Sequence, residues 1–224
     1  RLYSMTKPVT GIAAMLLIED GRMALDQPIA DFLPAFANMN VQTTPDGSIT
    51  DVRPAKGPIT VRQLLTHTAG LGYNIITKGP LLEEYNKLGI NPAAVSKTPI
   101  PGFPMPAPTP SIDEFARRVA SLPLIAEPGT VWSYSIGLDL LGYVIQVASG
   151  MEFGAFLKKN MFDPLGMKSS YFTVPQSEVA RLSTNYAPFA GALIPIDPAQ
   201  DSIFTVPPAF PFGGAGLVSS AADY

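Results

Sequence analysis

A serine and a lysine stand three positions apart in the stretch SMTKP (4–8), and they are the first residues whose types could do chemistry together. Residues three apart on an α-helix share a face, with Cβ atoms about 5–6 Å apart, so the Lys7 amine can reach the Ser4 hydroxyl. A serine attacks well only when a base takes its proton. A desolvated lysine can act as that base, or it can hold a neighbouring tyrosine in its anionic form. The spacing alone is therefore compatible both with a nucleophilic Ser4 and with a solvated pair on a helix face.

Tyr134 is a second candidate, because it lies between a turn, EPGT (127–130), and an apolar segment, IGLDLLGYVIQVASG (136–150). A tyrosine held at such a junction beside a lysine can act as a general base and then as a general acid. Taken alone, a tyrosine in this position is more often a packing aromatic whose hydroxyl is hydrogen-bonded. Because 130 positions (134 − 4) separate it from Ser4, spacing alone does not bring the two residues together.

The composition excludes several other chemistries. The 224 residues contain no cysteine, which removes thiolate catalysis, disulfides and cysteine-based metal sites. The single histidine, His67, excludes a zinc site with two or three histidines. A Ser-His-Asp hydrolase would need His67, and the G-x-S-x-G pentapeptide common in α/β-hydrolases does not occur. Nucleophilic chemistry must therefore use serine, threonine, lysine, tyrosine or a carboxylate, and we expect no metal and no cofactor.

The balance of residue types is that of a chain that can bury a hydrophobic core. Hydrophobic residues make up 46% and charged residues 15%, and the net charge is −3. The sequence has no basic run that would attract nucleic acid. Apolar runs such as GIAAMLLI (11–18) are far shorter than the roughly 20 residues that cross a bilayer. We therefore expect a small molecule as the partner, with no nucleic acid and no membrane span.

Apolar periodicity, capping residues and glycines predict a mostly helical middle of the chain. The predicted helices lie in 5–20, in 59–71 with Thr60 as N-cap, in 111–122 with a Ser111–Glu114 capping box, in 136–150 up to Gly150, and in 152–167 up to Asp163–Pro164. Short strands or extended loops are expected from 168 onward, followed by a helix start in SSAADY (219–224). Residues 92–110 hold seven of the 24 prolines, so this stretch is predicted to be either a lid over a cleft or a plain connector.

Together these segments resemble the class C β-lactamase-like serine hydrolases, a superfamily of class C β-lactamases, DD-peptidases and family VIII carboxylesterases. The matching pieces follow the family's order: SMTKP (4–8), ITVRQLLTHTAGL (59–71), PGTVWSYSIGLDLLGYVI (128–145), MFDPLGMKSSYF (161–172) and GGAGLVSSAADY (213–224). The resemblance implies an α+β, β-lactamase/transpeptidase-like fold, mostly the helical domain plus the start of the α/β sheet domain, truncated at both ends. We expect residues 1–224 to be an internal segment of one catalytic domain. Roughly 22–170 would be the mainly helical subdomain, and 1–21 and 171–224 would adjoin the sheet subdomain.

The resemblance also implies roles for individual residues. Ser4 would be the acylated nucleophile, and its backbone N–H would be one donor to the oxyanion. Lys7 would lower the proton affinity of its neighbours. Tyr134 would move the proton between Ser4 and the leaving group and would then activate water. These three residues are the predicted catalytic set.

Residues outside this set are expected to have supporting roles. The candidate substrate contacts, which would wall the acyl pocket, are Tyr73, Trp132 and Ile136. His67 is expected to be structural, hydrogen-bonded and packed near a helix end. Asp139 and Asp163 are expected to cap helices or to place charge at helix ends.

Two departures from the β-lactamase pattern affect the expected substrate. The second motif of these lactamases is Tyr-x-Asn, whose Asn bonds a substrate amide, whereas this chain has Tyr134-Ser135-Ile136. WSYS followed by a residue other than Asn resembles the family VIII esterases instead. The third motif, K-T-G in lactamases or a W-x-G-like triplet in esterases, is absent and would lie beyond Tyr224.

The leading hypothesis is a serine hydrolase, a carboxylesterase, that cleaves short-chain esters through an acyl-enzyme on Ser4. A class C β-lactamase or DD-peptidase is the alternative with the same fold. A non-catalytic binding protein of the penicillin-recognising fold is the alternative from a different class. The sequence leaves open the acyl-chain preference, the leaving alcohol, the oligomeric state and the localisation, cytoplasmic or periplasmic in a bacterium.

Overall fold

A computed structural model describes residues 1–91, 96–97 and 109–224 of the chain. The α-helices in these residues are α1 (Thr6–Glu19), α2 (Val61–Leu65), α3 (Gly79–Lys87), α4 (Ile112–Ala120), α5 (Gly137–Ser149), α6 (Phe153–Leu157) and α7 (Asp163–Leu165). A π-helical turn, Lys158–Phe162, joins α6 to α7. Short 3₁₀ turns cover Tyr3–Met5, Ile29–Asp31, Pro34–Phe36, Gln176–Arg181, Ala199–Asp201 and Ile203–Thr205. The predicted lid or connector at 92–110 lies almost entirely outside the described residues.

The hydrophobic core is built where α1 packs against α5. α1 buries Val9, Ala13 and Leu17, which recur at helical spacing along one face. α5 is covered on more than one side, because α2, α4 and α6 also contact it, and Leu141 and Val144 are fully buried. Full burial of such a side chain stabilises a fold by about 1.5–3 kcal/mol. The helices predicted in 5–20 and 136–150 are thus confirmed, and their packing holds the first turns of both in fixed relation.

The strands in the described residues form two antiparallel pairs. β1 (Asn40–Gln42) pairs with β2 (Val52–Pro54), and β3 (Asn185–Phe189) pairs with β4 (Ala192–Asp197). The two residues that join β3 to β4, Ala190 and Gly191, have φ values of 50° and 81°, as a tight hairpin turn requires. A second, smaller cluster of buried side chains lies in this C-terminal part: Val174, Val179, Leu182, Ala199, Phe204 and Val218. The fold is α+β, as expected, and the subdomain boundary near 170 stays a prediction.

A buried ion pair ties the residues before α1 to the end of β4. Arg1 Nε donates to Asp197 Oδ2 at 2.8 Å, and both side chains are almost completely buried. Ser202 Oγ and the Ile203 backbone N–H also donate to the Asp197 carboxylate, at 2.6 and 2.9 Å. Because these donors satisfy the buried charge, the pair can fix the start of the chain against the hairpin.

One expectation about a helix end is wrong. The helix predicted in 152–167 continues past Asp163–Pro164. Pro164 has no backbone N–H to donate, and the π turn just before it shifts the backbone hydrogen bonds to a wider spacing, so the helix can continue through the proline. The helix ends at Leu165 and is capped by Gly166, whose φ of 67° is left-handed. In SSAADY (219–224) the Asp223 N–H donates to Ser220 Oγ at 3.2 Å and the Tyr224 N–H donates to the Ser220 carbonyl at 3.1 Å, which is the pattern of the predicted helix start with Ser220 as cap.

The caps are otherwise close to those predicted. Thr60 and Gln63 form a complete capping box at α2, and Gly150 ends α5 in the left-handed conformation with a φ of 67°. At α4 only half of the expected box forms, with Ser111 Oγ accepting from the Glu114 N–H at 3.1 Å. The Glu114 carboxylate pairs with two arginines of its own helix instead, Arg117 and Arg118.

No single helix in the part of the chain that the structure describes is long and apolar enough to cross a membrane. α5 and Phe153–Leu165 meet the length and hydropathy requirements only as a pair, and a 75° bend separates them.

Candidate active site

Ser4 and Lys7 lie where a 3₁₀ turn, Tyr3–Met5, runs into α1. Lys7 Nζ donates to Ser4 Oγ at 3.1 Å, as the three-residue spacing predicts. Ser4 is exposed, and Lys7 is half-buried beneath it. The hydroxyl thus faces the open side of the cluster while the ammonium lies against the protein.

Tyr134 completes the cluster from a distant part of the sequence. It lies in the segment before α5, where residues 131–135 have no regular secondary structure. Its hydroxyl is 2.5 Å from Ser4 Oγ, and Lys7 Nζ lies 4.6 Å from the centroid of its ring. The structure therefore brings together the three residues predicted as catalytic, in an arrangement that allows a proton to pass between the serine and the tyrosine.

A glycine-rich segment, residues 213–217, runs along the start of α1 and supports Lys7. Lys7 Nζ donates to the Gly214 carbonyl at 2.7 Å, and Thr10 Oγ1 donates to the Gly213 carbonyl at 2.7 Å. The close approach requires glycine, because a Cβ on Gly214 would lie 2.5 Å from a carboxylate oxygen of Asp139. The segment gives the lysine a fixed acceptor besides Ser4.

Asp139 is the site residue whose role the sequence did not reveal. It lies in the first turn of α5 and was expected to act at the helix end, yet it is only 1% exposed and accepts from the Gly214 N–H at 2.8 Å. Burial raises its pKa to about 7, and the Gly214 N–H and the charge of Lys7 act in the opposite direction. Asp139 therefore holds Gly214 by its backbone N–H, and the carbonyl of the same glycine accepts from Lys7. The adjacent glycines at 213–214 were the only signal in the sequence that something packs closely there.

His67 lies beside Tyr134, in the turn that follows α2. Its Nδ1 accepts from the Ser135 N–H at 3.1 Å, and its carbonyl accepts from the Ser133 N–H at 2.9 Å. The imidazole and phenol rings are 4.8 Å apart between centroids. Burial first, and the charge of Lys7 second, lower the pKa of His67 to about 4, so the ring is neutral at neutral pH. The expectation of a hydrogen-bonded, packed histidine agrees with these contacts.

The predicted substrate contacts divide into two kinds. Tyr73 is buried with its ring 5.4 Å from that of Tyr134, and Trp132 is 67% exposed with its ring 6.2 Å from that of His67. These two aromatics border the cluster. Ile136 is 0% exposed, because it is the N-cap of α5 and its side chain belongs to the core. Its assignment as a substrate contact does not agree with this burial, so we do not retain it.

The described residues contain no group of three or more His, Asp or Glu side chains that could hold a metal ion. The chemistry available at the cluster is that of a hydroxyl nucleophile, an ammonium group and a phenol. With the backbone N–H groups at the start of α1, this set can support attack on a carbonyl carbon and proton transfer to a leaving group.

Comparison with known proteins agrees with this description of the fold. The profile of the Beta-lactamase family matches residues 1–224. The esterase EstB from Burkholderia gladioli is 34% identical over 239 residues, which cover 100% of this chain and 54% of EstB. The chain belongs to the Beta-lactamase family.

Among the solved structures that are similar over the whole chain are a hydrolase and a synthase. EstCE1, described as a hydrolase with promiscuous acyltransferase activity, has a TM-score of 0.76 at 29% identity, covering 100% of this chain and 56% of EstCE1. Unliganded simvastatin synthase LovD from Aspergillus terreus has a TM-score of 0.72 at 28% identity, covering 100% of this chain and 51% of LovD. The chain spans about half the length of the curated relatives it matches.

Proposed function

We propose that this protein is a serine hydrolase that cleaves short-chain carboxylic esters through an acyl-enzyme on Ser4. The observation that carries the proposal is the meeting of Ser4 Oγ with Tyr134 Oη at 2.5 Å and with Lys7 Nζ at 3.1 Å. Because Ser4 and Tyr134 are 130 positions apart, the contact between them depends on the whole fold and not on local helix geometry.

The proposed reaction has two steps with the same proton carrier. Ser4 Oγ attacks the ester carbonyl while its proton passes to Tyr134 Oη, which the neighbouring Lys7 cation stabilises in its anionic form. Tyr134 then gives the proton to the departing alkoxide as the bond between the acyl carbon and the alcohol oxygen breaks. In the second step water attacks the acyl-enzyme, Tyr134 takes its proton, and the proton returns to Ser4 as the acid leaves. The Ser4 backbone N–H would be one donor to the oxyanion in both steps.

The residue two positions after Tyr134 supports esters over lactams. Position 136 presents no amide to a substrate, because Ile136 is apolar and its side chain lies within the core. Tyr73 and Trp132 would border an apolar acyl group. The esterase relative EstB is consistent with this preference.

The nucleophile is tested with the full-length protein and a fluorophosphonate probe, which forms a bond to an activated serine and releases fluoride. We expect wild type and Ser121→Ala, a change at an exposed serine after α4, to be labelled, and Ser4→Ala to remain unlabelled. Labelling of Ser4→Ala equal to wild type would mean that the nucleophile lies elsewhere. No labelling of the wild type would favour a non-catalytic binding protein.

The substrate class is tested by comparing kcat/KM for p-nitrophenyl butyrate with that for a chromogenic cephalosporin. We expect the ester to be the better substrate, and a faster cephalosporin would favour the lactamase alternative. The same assay with added alcohol measures how much of the acyl group goes to alcohol instead of water. EstCE1 and LovD, as their names state, carry out acyl transfer or synthesis, so transfer to alcohol is the second activity to measure.

A further inference from the structure

We infer that His67 is a positioning residue, which holds Tyr134 in place for proton transfer by binding the backbone on both sides of it. This inference rests on the proposed function, because it concerns the residue that would carry the proton. It goes beyond a packed structural histidine, since it predicts a specific effect on catalysis through Tyr134.

The first observation is that His67 binds the peptide N–H groups of both neighbours of Tyr134. The Ser133 N–H donates to the His67 carbonyl at 2.9 Å, and the Ser135 N–H donates to His67 Nδ1 at 3.1 Å. A residue in a segment without regular secondary structure has no helix or strand ladder to fix it. These two hydrogen bonds take the place of such a ladder for residues 133–135.

The second observation is the contact between the rings. The imidazole centroid lies 4.8 Å from the Tyr134 centroid, with an angle of 47° between the planes. The position of the phenol ring determines where its hydroxyl meets Ser4 Oγ. His67 thus restrains both the backbone and the ring of Tyr134.

The third observation is the backbone conformation of His67, which has a φ of 56°. The position follows the C-terminus of α2, where glycine or asparagine is the usual residue in the left-handed conformation. Unfavourable backbone conformations of this kind are retained where the surrounding contacts depend on them. Here the left-handed turn directs the carbonyl and Nδ1 of one residue toward the same segment.

The hydrogen-bonding state of the imidazole fits this role. A backbone N–H can only donate, so Nδ1 is the acceptor and the proton of the neutral ring lies on Nε2. The lowered pKa of His67, about 4, keeps Nδ1 unprotonated at neutral pH. Two backbone hydrogen bonds from residues 125–129 hold the turn that contains His67. The Gly129 N–H donates to the Thr68 carbonyl at 2.7 Å, and the Ile125 N–H donates to the Gly70 carbonyl at 2.8 Å.

The experiment compares two variants of the full-length protein that both tolerate the left-handed backbone. In His67→Asn, Oδ1 stands as many bonds from the backbone as Nδ1 does and can accept from the Ser135 N–H, whereas His67→Gly has no acceptor. A displacement of about 1 Å at a reacting group can lower the rate about 100-fold, so we expect a kcat loss of that order in His67→Gly. We expect His67→Asn to recover most of it, with KM for p-nitrophenyl butyrate little changed in both.

Tyr134→Phe supplies the control that separates this inference from the proposed function. Because His67 would act through Tyr134, the double variant His67→Gly/Tyr134→Phe should be little slower than Tyr134→Phe alone. If the wild type does not hydrolyse the ester, the proposed function fails; if it does and Tyr134→Phe keeps wild-type kcat, Tyr134 is not the proton carrier and the positioning role of His67 falls with it. If Tyr134→Phe is slow but His67→Gly is as fast as wild type, His67→Asn recovers nothing, or the two losses add, only the positioning role fails.

If His67→Gly does not fold, a further variant, His67→Gln, tests the positioning role in its place. Gln places its amide oxygen one bond further from the backbone than Asn does and misses the Ser135 N–H. His67→Gln should then lose kcat while His67→Asn retains it. Equal kcat in these two variants would contradict the inference.

Discussion

The two sides of the proposed catalytic cluster are held by different kinds of structure. Ser4 and Lys7 lie on one continuous helical stretch, whose geometry alone brings Lys7 Nζ to 3.1 Å from Ser4 Oγ. Tyr134 lies in a segment without regular secondary structure, and remote groups fix it, above all the side chain and carbonyl of His67. The helical side is therefore set locally, whereas the tyrosine side depends on contacts between distant parts of the chain.

The largest expected effect comes from removing the group that the tyrosine side presents. Positioned acid–base groups contribute about 10²–10⁴-fold to rates, so Tyr134→Phe should lower kcat for p-nitrophenyl butyrate within that range. Tyr73→Phe is the matched control, because Tyr73 lies 5.4 Å away between ring centroids. Burial raises the pKa of the Tyr73 hydroxyl, which makes it a poor proton carrier. A greater loss of kcat in Tyr73→Phe than in Tyr134→Phe would assign the role of proton carrier to Tyr73 instead of Tyr134.

The side of the cluster that carries Ser4 and Lys7 could be predicted from the sequence, because helix spacing and capping depend on residues that are close together in the chain. A spacing of three on a helix determines which side chains meet, and the Ser4–Lys7 contact follows. The Thr60 and Gly150 caps follow in the same way from residue types next to apolar periods. Pro164 misled for the same reason, since a local rule ends the helix there and does not foresee a π turn.

The tyrosine side could not be predicted from the residues alone. No rule of spacing connects Tyr134 with Ser4, and only resemblance to a family indicated the contact. Asp139 has the usual place of a helix-dipole acid, and only its burial against Gly214 shows that its carboxylate faces inward. Ile136 occupies the motif position of a substrate contact, but the packing of α5 takes its side chain into the core.

Asp139 links the two sides, and its titration gives the next prediction. Its pKa of about 7 lies above the usual value of 3.8, so between these pH values the unfolded chain loses the proton while the folded protein keeps it. The contribution of Asp139 to wild-type stability should therefore fall as pH rises through this window, by at most about 1.4 kcal/mol per pH unit for one proton. Asp139→Asn cannot titrate at this position. The free energy of unfolding of Asp139→Asn minus that of wild type, measured in urea, should therefore increase from about pH 4 to 7 and stay constant above pH 7.

Taking the difference between the two proteins removes the opposing trend from His67. The pKa of that residue is lowered to about 4, so it makes stability rise between about pH 4 and 6.5 in both proteins equally. A difference between Asp139→Asn and wild type that stays constant from pH 4 to 8 would contradict the buried, protonated carboxyl.

Gly214, which binds Asp139 through its N–H and Lys7 through its carbonyl, gives a smaller and more local test. A Cβ on Gly214 would lie 2.5 Å from Asp139 Oδ2, so Gly214→Ala must displace either the carboxyl or the carbonyl that binds Lys7. Such overpacking costs about 1–3 kcal/mol of stability, and kcat should fall with it. Gly57→Ala is the control, since nothing lies within 4 Å of its added Cβ, and its free energy of unfolding should stay within about 0.5 kcal/mol of wild type. Equal stability of the two variants would mean that residues 213–217 are not held against α5.

The smallest expected effect tests whether the Ser4–Lys7 geometry is independent of contacts with distant parts of the chain. Tyr3 precedes the nucleophile with a φ of 48°, and its hydroxyl accepts from Asn185 Nδ2 of β3 at 2.8 Å. One such hydrogen bond contributes about 1 kcal/mol, so Asn185→Ala should lower kcat by no more than about fivefold, because the Ser4–Lys7 geometry survives without it. Tyr186→Phe, a change at an exposed neighbour on the same strand, should leave kcat unchanged. A loss in Asn185→Ala as large as that in Tyr134→Phe would show that the serine depends on remote contacts as much as the tyrosine does, and the contrast between the two sides would disappear.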